Sequence, residues 1–350
     1  MKDSLFEKGF GSDNHAPAHP EILKSILEIN QGHAHSYGFD LWTERANELF
    51  KTHFGKDAKT YFVFNGTGAN VLSLRSMMKS YQACLCSDIS HLNVDECAAP
   101  EFQAGKLIPC PTKNGKICLE GLQKMALRKG DQHFAQVAVL SITQPTELGT
   151  VYSFKELQEL TQWAKSQGLL IHMDGARLSN AAHSLNLDFK TFTTDLGVDV
   201  VSFGGTKNGF IFGEAIIFLN KALARDFTFL RKQSLQLPSK TRYISAQFAT
   251  YLEHGLWKSI AQQANSMAQL LFEKTKDIPG VEITQPVQSN AVFAKIPKNW
   301  VKDLRKEHFF YVWDENTFEC RWMCSWDTKP EEIEAFALNL KNLSLNSLTT

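Results

Sequence analysis

Residues 169–177 read LLIHMDGAR, a short apolar run that ends in a carboxylate and a cation. The run over 169–173 has the length and composition of a β-strand, and it lacks the polar alternation of a strand with one exposed face. A helical pattern precedes it over 154–166, where leucines and an alanine recur at three- and four-residue steps. A helix followed by a buried strand is typical of a parallel sheet whose strands are joined by helical crossovers.

The same alternation extends along the chain on both sides of this stretch. Further strands are predicted at 61–64, 83–86, 137–142, 198–203 and 215–219. The sequence therefore predicts an α/β fold, with a mostly parallel sheet covered by helices.

Beyond residue 240 the pattern changes from regular alternation to long helices mixed with short strand-like pieces. These segments lie at 241–254, 257–276, 291–295 and 320–324. They predict a smaller C-terminal α+β domain, consistent with a chain length that suggests about two domains. We place the boundary near residue 245, giving a large domain over 1–245 and a small domain over 246–350.

The composition of the chain bears on its binding partners and on its cellular compartment. The 350 residues include 37 Lys+Arg and 37 Asp+Glu, so the formal net charge is zero and no nucleic acid or anionic lipid partner is expected. The N-terminus has no signal-like apolar region and no run of 18 apolar residues occurs, so we expect a cytoplasmic protein that does not enter a membrane. Seven scattered cysteines fit reduced thiols better than a disulfide framework, and their spacing predicts no metal site.

In an open parallel sheet, ligands bind beyond the carboxyl ends of the strands, so the segments that follow the strands are candidate binding loops. The first is NGTGAN (65–70), a glycine-containing helix start that suits a phosphate, although such a turn is often a plain helix start. The second holds Asp174 and Arg177, which are either functional or a structural ion pair with each other.

Two further strand exits carry a lysine and a histidine. Lys207 lies in GGTKNG (204–209), where partial desolvation would fit its amine for imine chemistry, although most lysines are surface charges. His91 ends SDISH (87–91) and is either a structural residue or a ring contact. A phosphate turn, a ring-bearing histidine, a strand-end carboxylate and a lysine are together what pyridoxal phosphate requires.

Six segments carry a resemblance to a known family: GSDN (11–14), HSYG (35–38), NGTGAN (65–70), ISH (89–91), HMDGAR (172–177) and FGGTKNG (203–209). They resemble the low-specificity L-threonine aldolases and related β-eliminating lyases. This family has the aspartate-aminotransferase fold of pyridoxal-phosphate enzymes, known as fold type I. TQPTELGTVY (143–152) and CSWDT (324–328) are similar to the branch that acts on phenylserine-like substrates.

The resemblance implies a role for each matching residue at the cofactor. Lys207 would form the Schiff base with pyridoxal 5'-phosphate, and Gly66 with Thr67 would bind its phosphate. His91 would stack on the pyridine ring, and Asp174 would pair with the protonated ring nitrogen.

The resemblance also implies residues that bind the substrate and a second subunit. Ser12, Arg177 and Arg321 would hold the substrate carboxylate, with Arg177 also bordering the cofactor. The family forms active sites between subunits of a homodimer or homotetramer. Arg242, together with Lys240, would reach the neighbour's phosphate, and Tyr37 would line the same pocket.

The sequence departs from the family at one position. Many members carry a second histidine near the substrate hydroxyl, whereas the corresponding stretch here reads TQPTE (143–147). We therefore expect His91, or a water that it orients, to act as the base, with His35 in reserve. Glu96 is expected to support His91.

The function that the resemblance implies is a retro-aldol cleavage of L-β-hydroxy-α-amino acids to glycine and an aldehyde. Threonine, allo-threonine and phenylserine are the candidate substrates. The alternatives are a β-eliminating lyase or an aminotransferase with the same cofactor, and outside enzymes a binding or regulatory protein of the same fold.

Overall fold

The computed structural model describes residues 9–125 and 127–348. Its strands are β1 (Lys59–Val63), β2 (Gln82–Ser87), β3 (Lys106–Cys110), β4 (Thr112–Lys113), β5 (Lys116–Ile117), β6 (Gln136–Thr143), β7 (Leu170–Gly175), β8 (Val200–Gly204), β9 (Glu214–Phe218), β10 (Glu282–Ile283), β11 (Ala291–Lys295), β12 (Tyr311–Asp314) and β13 (Glu319–Met323). Its α-helices are α1 (Pro20–Ile29), α2 (Leu41–Phe54), α3 (Gly66–Met77), α4 (His91–Val94), α5 (Ala99–Gln103), α6 (Leu119–Lys124), α7 (Phe154–Ser166), α8 (Leu178–Leu185), α9 (Phe189–Phe192), α10 (Phe227–Gln233), α11 (Arg242–Leu252), α12 (Leu256–Thr275), α13 (Lys298–Leu304) and α14 (Pro330–Leu348).

The large sheet is mostly parallel, as predicted. Within the described residues it has seven strands in the order β1-β9-β8-β7-β6-β2-β3. Strands β3, β2, β6, β7 and β8 run parallel, whereas β9 is antiparallel to both of its neighbours. Because β9 is reversed, it begins at the edge where β8 ends, and Glu214 pairs with Gly204.

Aromatic packing joins the helices to one face of this sheet. Phe50 of α2 and Phe248 of α11 meet with their ring centroids 5.4 Å apart, and both contact Phe62 of β1 and Phe203 of β8. These four side chains are buried, and tilted or edge-to-face contacts are the favoured arrangement of aromatic rings. Burial on both faces explains why the strands read as continuous apolar runs.

The smaller sheet has the order β10-β11-β13-β12, and its paired strands are antiparallel. Helices α12, α13 and α14 contribute to its apolar core. Phe10, from near the N-terminus, joins the same core and exchanges backbone hydrogen bonds with Phe309 and Met323. The division of the chain at residue 245 stays a prediction.

Several sequence-based expectations concern the chain as a whole. Seven free cysteines are present, of which Cys97 and Cys118 are exposed. Across residues 9–125 and 127–348, no His, Cys, Asp and Glu side chains group in threes or more in a way that would hold a metal ion. No helix in that same part of the chain is long and apolar enough to cross a membrane.

Candidate active site

The predicted strand exits meet at one edge of the large sheet, around a cavity of about 460 Å³. The cavity is lined by six of the predicted site residues: Gly66, Thr67, His91, Asp174, Arg177 and Lys207. These residues follow β1, β2, β7 and β8, so the sheet brings together side chains that are up to 141 positions apart in the sequence, counted from Gly66 to Lys207. A cleft at the carboxyl ends of parallel strands is the usual ligand site of this architecture.

The glycine-containing turn is the start of a full-length helix. Asn65 is the N-cap of α3, and its Oδ1 accepts a hydrogen bond from the Gly68 amide at 2.8 Å. A methyl group added at Gly66 would meet no atom within 4 Å, so the space beside the first turn is open. The first amides of a helix and its dipole attract anions, and an open turn lets an anion approach them closely.

Asp174 is buried at the end of β7 and belongs to a chain of hydrogen bonds. Its Oδ2 accepts from Asn70 Nδ2 at 2.8 Å, and its Oδ1 accepts from the Ala176 amide at 3.0 Å. Asn70 Nδ2 also donates to Glu96 Oε1 at 2.8 Å, and Glu96 Oε1 lies 2.9 Å from His91 Nδ1. The hydrogen bond to Glu96 raises the pKa of His91, and burial raises the pKa of Glu96. A buried carboxylate in this position can bind a cationic ring nitrogen.

Lys207 lies in a short turn that its neighbours fix. Asn208 Nδ2 donates to the carbonyl oxygens of Gly204, at 2.9 Å, and Ala176, at 3.0 Å. The charge of Arg177 lowers the pKa of the Lys207 amine, and burial adds to the effect. An amine with a lowered pKa is more often neutral and therefore more nucleophilic, as imine chemistry requires.

Arg177 pairs with a carboxylate that sequence reasoning did not single out. Its Nε and Nη2 donate to the two oxygens of buried Asp13 at 2.5 and 2.8 Å, and Asn290 Nδ2 donates to Asp13 at 3.2 Å. The alternative of an ion pair between Arg177 and Asp174 is therefore wrong, because the guanidinium is turned toward Asp13. The signal available in the sequence was the acidic residue inside GSDN (11–14).

Ser12 and Arg321 lie near this pair but are not among the residues that line the cavity. Ser12 Oγ caps a short turn by accepting from the Asn14 amide at 3.2 Å. Arg321 Nη2 donates to the Gly11 carbonyl at 3.1 Å, and its Nε is buried without a partner among the described residues. Burial lowers the pKa of Arg321 to about 10, and the charge of Arg177 adds to the effect. Two mutually repelling guanidinium groups near one carboxylate favour a second anion.

Tyr37 and Arg242 also lie outside the cavity lining. The Tyr37 amide donates to the Ser239 carbonyl at 2.9 Å, and Arg242 Nη1 donates to the carbonyl of Gly32 at 3.4 Å. Large apolar side chains are exposed nearby in the sequence, at Phe39, Leu41 and Leu235. The predicted reach of Arg242 and Lys240 into a neighbouring subunit stays a prediction, as do the roles of Tyr37 and His35.

Two glutamates complete the cavity and were not predicted as site residues: Glu147, which is half-buried, and Glu214, which is buried. Burial raises the pKa of Glu147 and that of Glu214 to about 7. Glu214 Oε2 accepts from the Gly205 amide at 2.6 Å, which holds the turn before Lys207. Glu147 follows β6, so the rule that predicted the other strand exits applies to it. In the sequence, Glu147 lies in TQPTE (143–147), a stretch that stood out only because it lacks the family's second histidine.

Comparison with known proteins identifies the class. Residues 9–298 match the model of the family described as Beta-eliminating lyase. The chain therefore belongs to the β-eliminating lyase family, and it is an enzyme of the lyase class.

The relatives narrow the family to one branch. The chain is 40% identical over 334 residues to the low specificity L-threonine aldolases of Pseudomonas sp. (strain NCIMB 10558) and Pseudomonas aeruginosa, covering 95% of this chain and 96% of each relative. The structure of a threonine aldolase from Leishmania major superposes with a TM-score of 0.91 at 26% identity, over 96% of this chain and 99% of that one. The resemblance read from the sequence is confirmed.

The fold is shared more widely than the branch. An aromatic aminotransferase from Pyrococcus horikoshii superposes with a TM-score of 0.72 at 14% identity, over 100% of this chain and 98% of that one. The predicted fold class, with its mostly parallel sheet and small C-terminal sheet, is confirmed.

Proposed function

We propose that this chain is a pyridoxal 5'-phosphate-dependent aldolase that cleaves L-β-hydroxy-α-amino acids to glycine and an aldehyde. L-threonine, L-allo-threonine and L-phenylserine are the proposed substrates. The observation that carries the proposal is the convergence of the Gly66 turn, Asp174 and Lys207 on one cavity. The names of the Pseudomonas relatives support the reaction type.

The residues fit the cofactor at three separate points. The turn at Gly66 and Thr67 suits the phosphate, since the space beside Gly66 is open and a side chain at that position would fill it. Buried Asp174, held by Asn70, suits the protonated pyridine nitrogen. The Lys207 amine, whose pKa is lowered by Arg177, suits a covalent bond to the aldehyde carbon.

When bound, pyridoxal phosphate supplies an electron sink for the pair released from the Cα–Cβ bond. The chain's own residues orient the substrate so that this bond can break. Arg177 and Arg321 would bind the substrate carboxylate, with Asp13 fixing the plane of the Arg177 guanidinium. His91, held by Glu96, would cover one face of the ring. Gly205 and Asn208 keep Lys207 at the end of β8.

The proposed assembly is a homodimer or homotetramer in which Arg242, Lys240 and Tyr37 serve a neighbouring active site. Phe39, Leu41 and Leu235 are among the large apolar side chains that are more than 70% exposed in the single chain. Exposed apolar side chains of this size often mark protein–protein contacts.

The test is a product assay on purified protein supplied with pyridoxal phosphate. The three substrates should each give glycine and the corresponding aldehyde in equal amounts. Ammonia with a keto acid would instead identify a β-eliminating lyase, and a transferred amine would identify an aminotransferase.

Lys207→Ala should abolish turnover while circular dichroism stays that of the wild type. Lys116→Ala is the matched control, because Lys116 is also partly buried but pairs with Glu156 outside the cavity. Borohydride reduction followed by peptide mass spectrometry should place the cofactor on residue 207. Unchanged turnover in Lys207→Ala would overturn the proposal.

A further inference from the structure

The carboxyl group of Glu147 has no role in the scheme above, although it lines the same cavity. Its Oε1 accepts a hydrogen bond from the His91 amide at 2.8 Å, which holds the side chain next to the start of α4. Its Oε2 is buried and accepts no hydrogen bond from the residues that the structure describes. A buried oxygen without a partner is costly, and in an active site it commonly awaits a substrate group.

Glu214 provides an internal comparison. Both glutamates line the cavity, and burial raises the pKa of each to about 7. Glu214, however, accepts hydrogen bonds from the Gly205 amide and the Thr206 hydroxyl, so it serves the backbone of the lysine turn. The Thr143 hydroxyl interacts with the carboxyl group of Glu147 in a similar way, but Glu147 Oε2 has no hydrogen-bond partner of ordinary geometry among the described residues.

His91 is less suited to accept a proton than the sequence suggested. Its Nδ1 is engaged with Glu96 Oε1 at 2.9 Å, and this hydrogen bond raises the pKa of the imidazole. A raised pKa favours the imidazolium, in which both ring nitrogens are donors. His91 can therefore stabilise negative charge or cover a ring while another group takes the proton.

We propose that Glu147 is the general base of the aldol cleavage and that its Oε2 takes the proton of the substrate's β-hydroxyl group. This inference rests on the proposed function. Glu147 accepts a hydrogen bond from the backbone amide of His91, the residue proposed to cover one face of the cofactor, so its carboxyl group lies next to the proposed cofactor site.

The reaction balances with no further reactant. The hydroxyl O–H bond breaks and its proton moves to Glu147, while the Cβ–O single bond becomes the aldehyde C=O. The Cα–Cβ bond breaks, and its electron pair stays with the Cα fragment. One proton then adds to Cα to give glycine. This proton balances the one that was taken from the hydroxyl group.

The groups around Glu147 define the pH dependence. Burial is the main cause of the raised pKa of Glu147, and the charge of Asp174 raises it further. Other charged or titratable groups that interact with Glu147 are Arg177, His91, Cys86 and Tyr152. Below pH 7 the carboxyl group is protonated and cannot accept a proton. kcat/KM for cleavage should therefore rise with pH through about 7.

The experiment compares wild type with Glu147→Gln and Glu214→Gln, each supplied with pyridoxal phosphate. Glu147→Gln keeps an oxygen for the His91 amide, and we expect it to lower kcat for cleavage of L-threonine about 100-fold or more. Exchange of the α-proton of glycine in D₂O does not involve a hydroxyl group and should stay near the wild-type rate. The rising pH limb near 7 should disappear in Glu147→Gln and remain in Glu214→Gln.

Infrared difference spectra between pH 6 and pH 8 give a readout that does not depend on turnover. Wild-type protein should show carboxyl groups that titrate in this range, and Glu147→Gln and Glu214→Gln should each remove one signal. If Glu147→Gln does not fold, Glu147→His keeps a titratable base there and should shift the pH limb of cleavage.

The outcomes separate the two proposals. Cleavage by Glu147→Gln at close to the wild-type rate, or an unaltered pH limb in any folded Glu147 variant, overturns the assignment alone. Equal loss of cleavage and of glycine exchange also overturns it, because Glu147 would then only position the site. Absence of glycine and aldehyde with wild-type protein overturns the proposed function and this assignment together.

Discussion

The side-chain amide of Asn70 donates a hydrogen bond to Asp174 Oδ2 at 2.8 Å. This bond ties α3, whose first turn is proposed to bind the phosphate, to the end of β7. Asn70 also donates to Glu96 Oε1 at 2.8 Å, and Glu96 contacts His91. One amide therefore links the first turns of α3, the Asp174 carboxylate and, through Glu96, the His91 imidazole, and the sequence alone did not reveal this link.

The first prediction concerns this amide. Asn70→Ala removes the donor shared by two buried carboxylates, and a hydrogen bond to a charged group contributes about 1.5–3 kcal/mol. We expect kcat/KM for cleavage to fall about tenfold or more, because Asp174 and His91 lose their common support. Steady-state kinetics with L-threonine measures the effect.

Asn180→Ala is the control for Asn70→Ala. Asn180 is also buried and donates to Asn265 Oδ1 at 2.9 Å, but it does not line the cavity. The Asn180→Ala substitution should lower the free energy of unfolding without a comparable loss of kcat/KM. Equal kinetic effects in the two variants would show that Asn70 acts only through stability.

The second prediction concerns the carboxylate itself. Asp174→Ala should keep the fold and lose most of the cleavage rate, since no other carboxylate would hold the ring nitrogen in its protonated form. Asp199→Ala is a matched control, because Asp199 bonds the Ile171 amide and Asn220 away from the cavity. Circular dichroism and glycine production measure both effects. Near-normal turnover in Asp174→Ala would place the nitrogen partner elsewhere.

The large domain was predictable from sequence because its strands are buried on both faces. Continuous apolar runs such as 137–142 and 169–173 mark the buried strands directly, and β6 and β7 lie within two residues of the predicted limits at each end. The reversed direction of β9 was not predictable, because an apolar run carries no direction. That reversal brings Glu214 to the site, so Glu214 was missed as well.

The candidate site was predictable where a residue follows a strand in the chain. Lys207, Asp174 and His91 obey this rule, and the structure places all three around one cavity. Asp13 pairs with Arg177, although the two residues are 164 positions apart in the sequence. Such a pairing depends on how distant segments pack, which the sequence alone does not show. Roles that would depend on a second subunit, such as that of Arg242, have no signature within one chain.

The third prediction uses the ion pair between Asp13 and Arg177. Burial opposes ionisation of Asp13, but the charge and hydrogen bonds of Arg177 outweigh it and lower the pKa of the carboxyl group. Its contribution to stability is thus fully present above the unfolded-state pKa of about 3.9 and is lost as the pH falls through the folded-state value. Asp13→Asn should lower the free energy of unfolding by about 3 kcal/mol at pH 7.

The difference between wild type and Asp13→Asn should shrink below about pH 4, since protonation removes the same charge in the wild type. Urea unfolding at pH 7 and pH 3 measures this difference. Asp314→Asn, at the end of β12, is the control and should change stability little at either pH, because Asp314 forms hydrogen bonds only with the turn that follows it and pairs with no buried cation. A constant difference at both pH values would contradict the ion-pair explanation.

The fourth prediction concerns Arg321. If this guanidinium binds the substrate carboxylate, Arg321→Ala should raise KM for amino-acid substrates about tenfold or more, with a smaller change in kcat. Arg305→Ala is the control, because Arg305 donates to the Phe310 carbonyl, whereas the charge of Arg321 interacts with those of Arg177 and Asp13. Initial-rate kinetics with L-threonine distinguishes the two variants. An unaltered KM in Arg321→Ala would contradict its role.

The fifth prediction compares Gly66, beside which the structure is open, with Gly205, which is tightly packed. A methyl group at Gly66 meets no atom within 4 Å, whereas one at Gly205 would lie 2.4 Å from the Gly213 carbonyl oxygen. Gly66→Ala should leave the free energy of unfolding unchanged or slightly raised, because alanine is the better helix former. Its affinity for pyridoxal phosphate should fall about tenfold, since the methyl group occupies the space in front of the helix amides.

Gly205→Ala should show the opposite pattern, a loss of about 1–3 kcal/mol in unfolding free energy from a contact that cannot relax easily. Urea unfolding without cofactor and absorbance titration with cofactor measure the two quantities independently. Unchanged affinity in Gly66→Ala would mean that the phosphate binds elsewhere. The helix start at residue 66 would then be the plain one that its sequence alone also allowed.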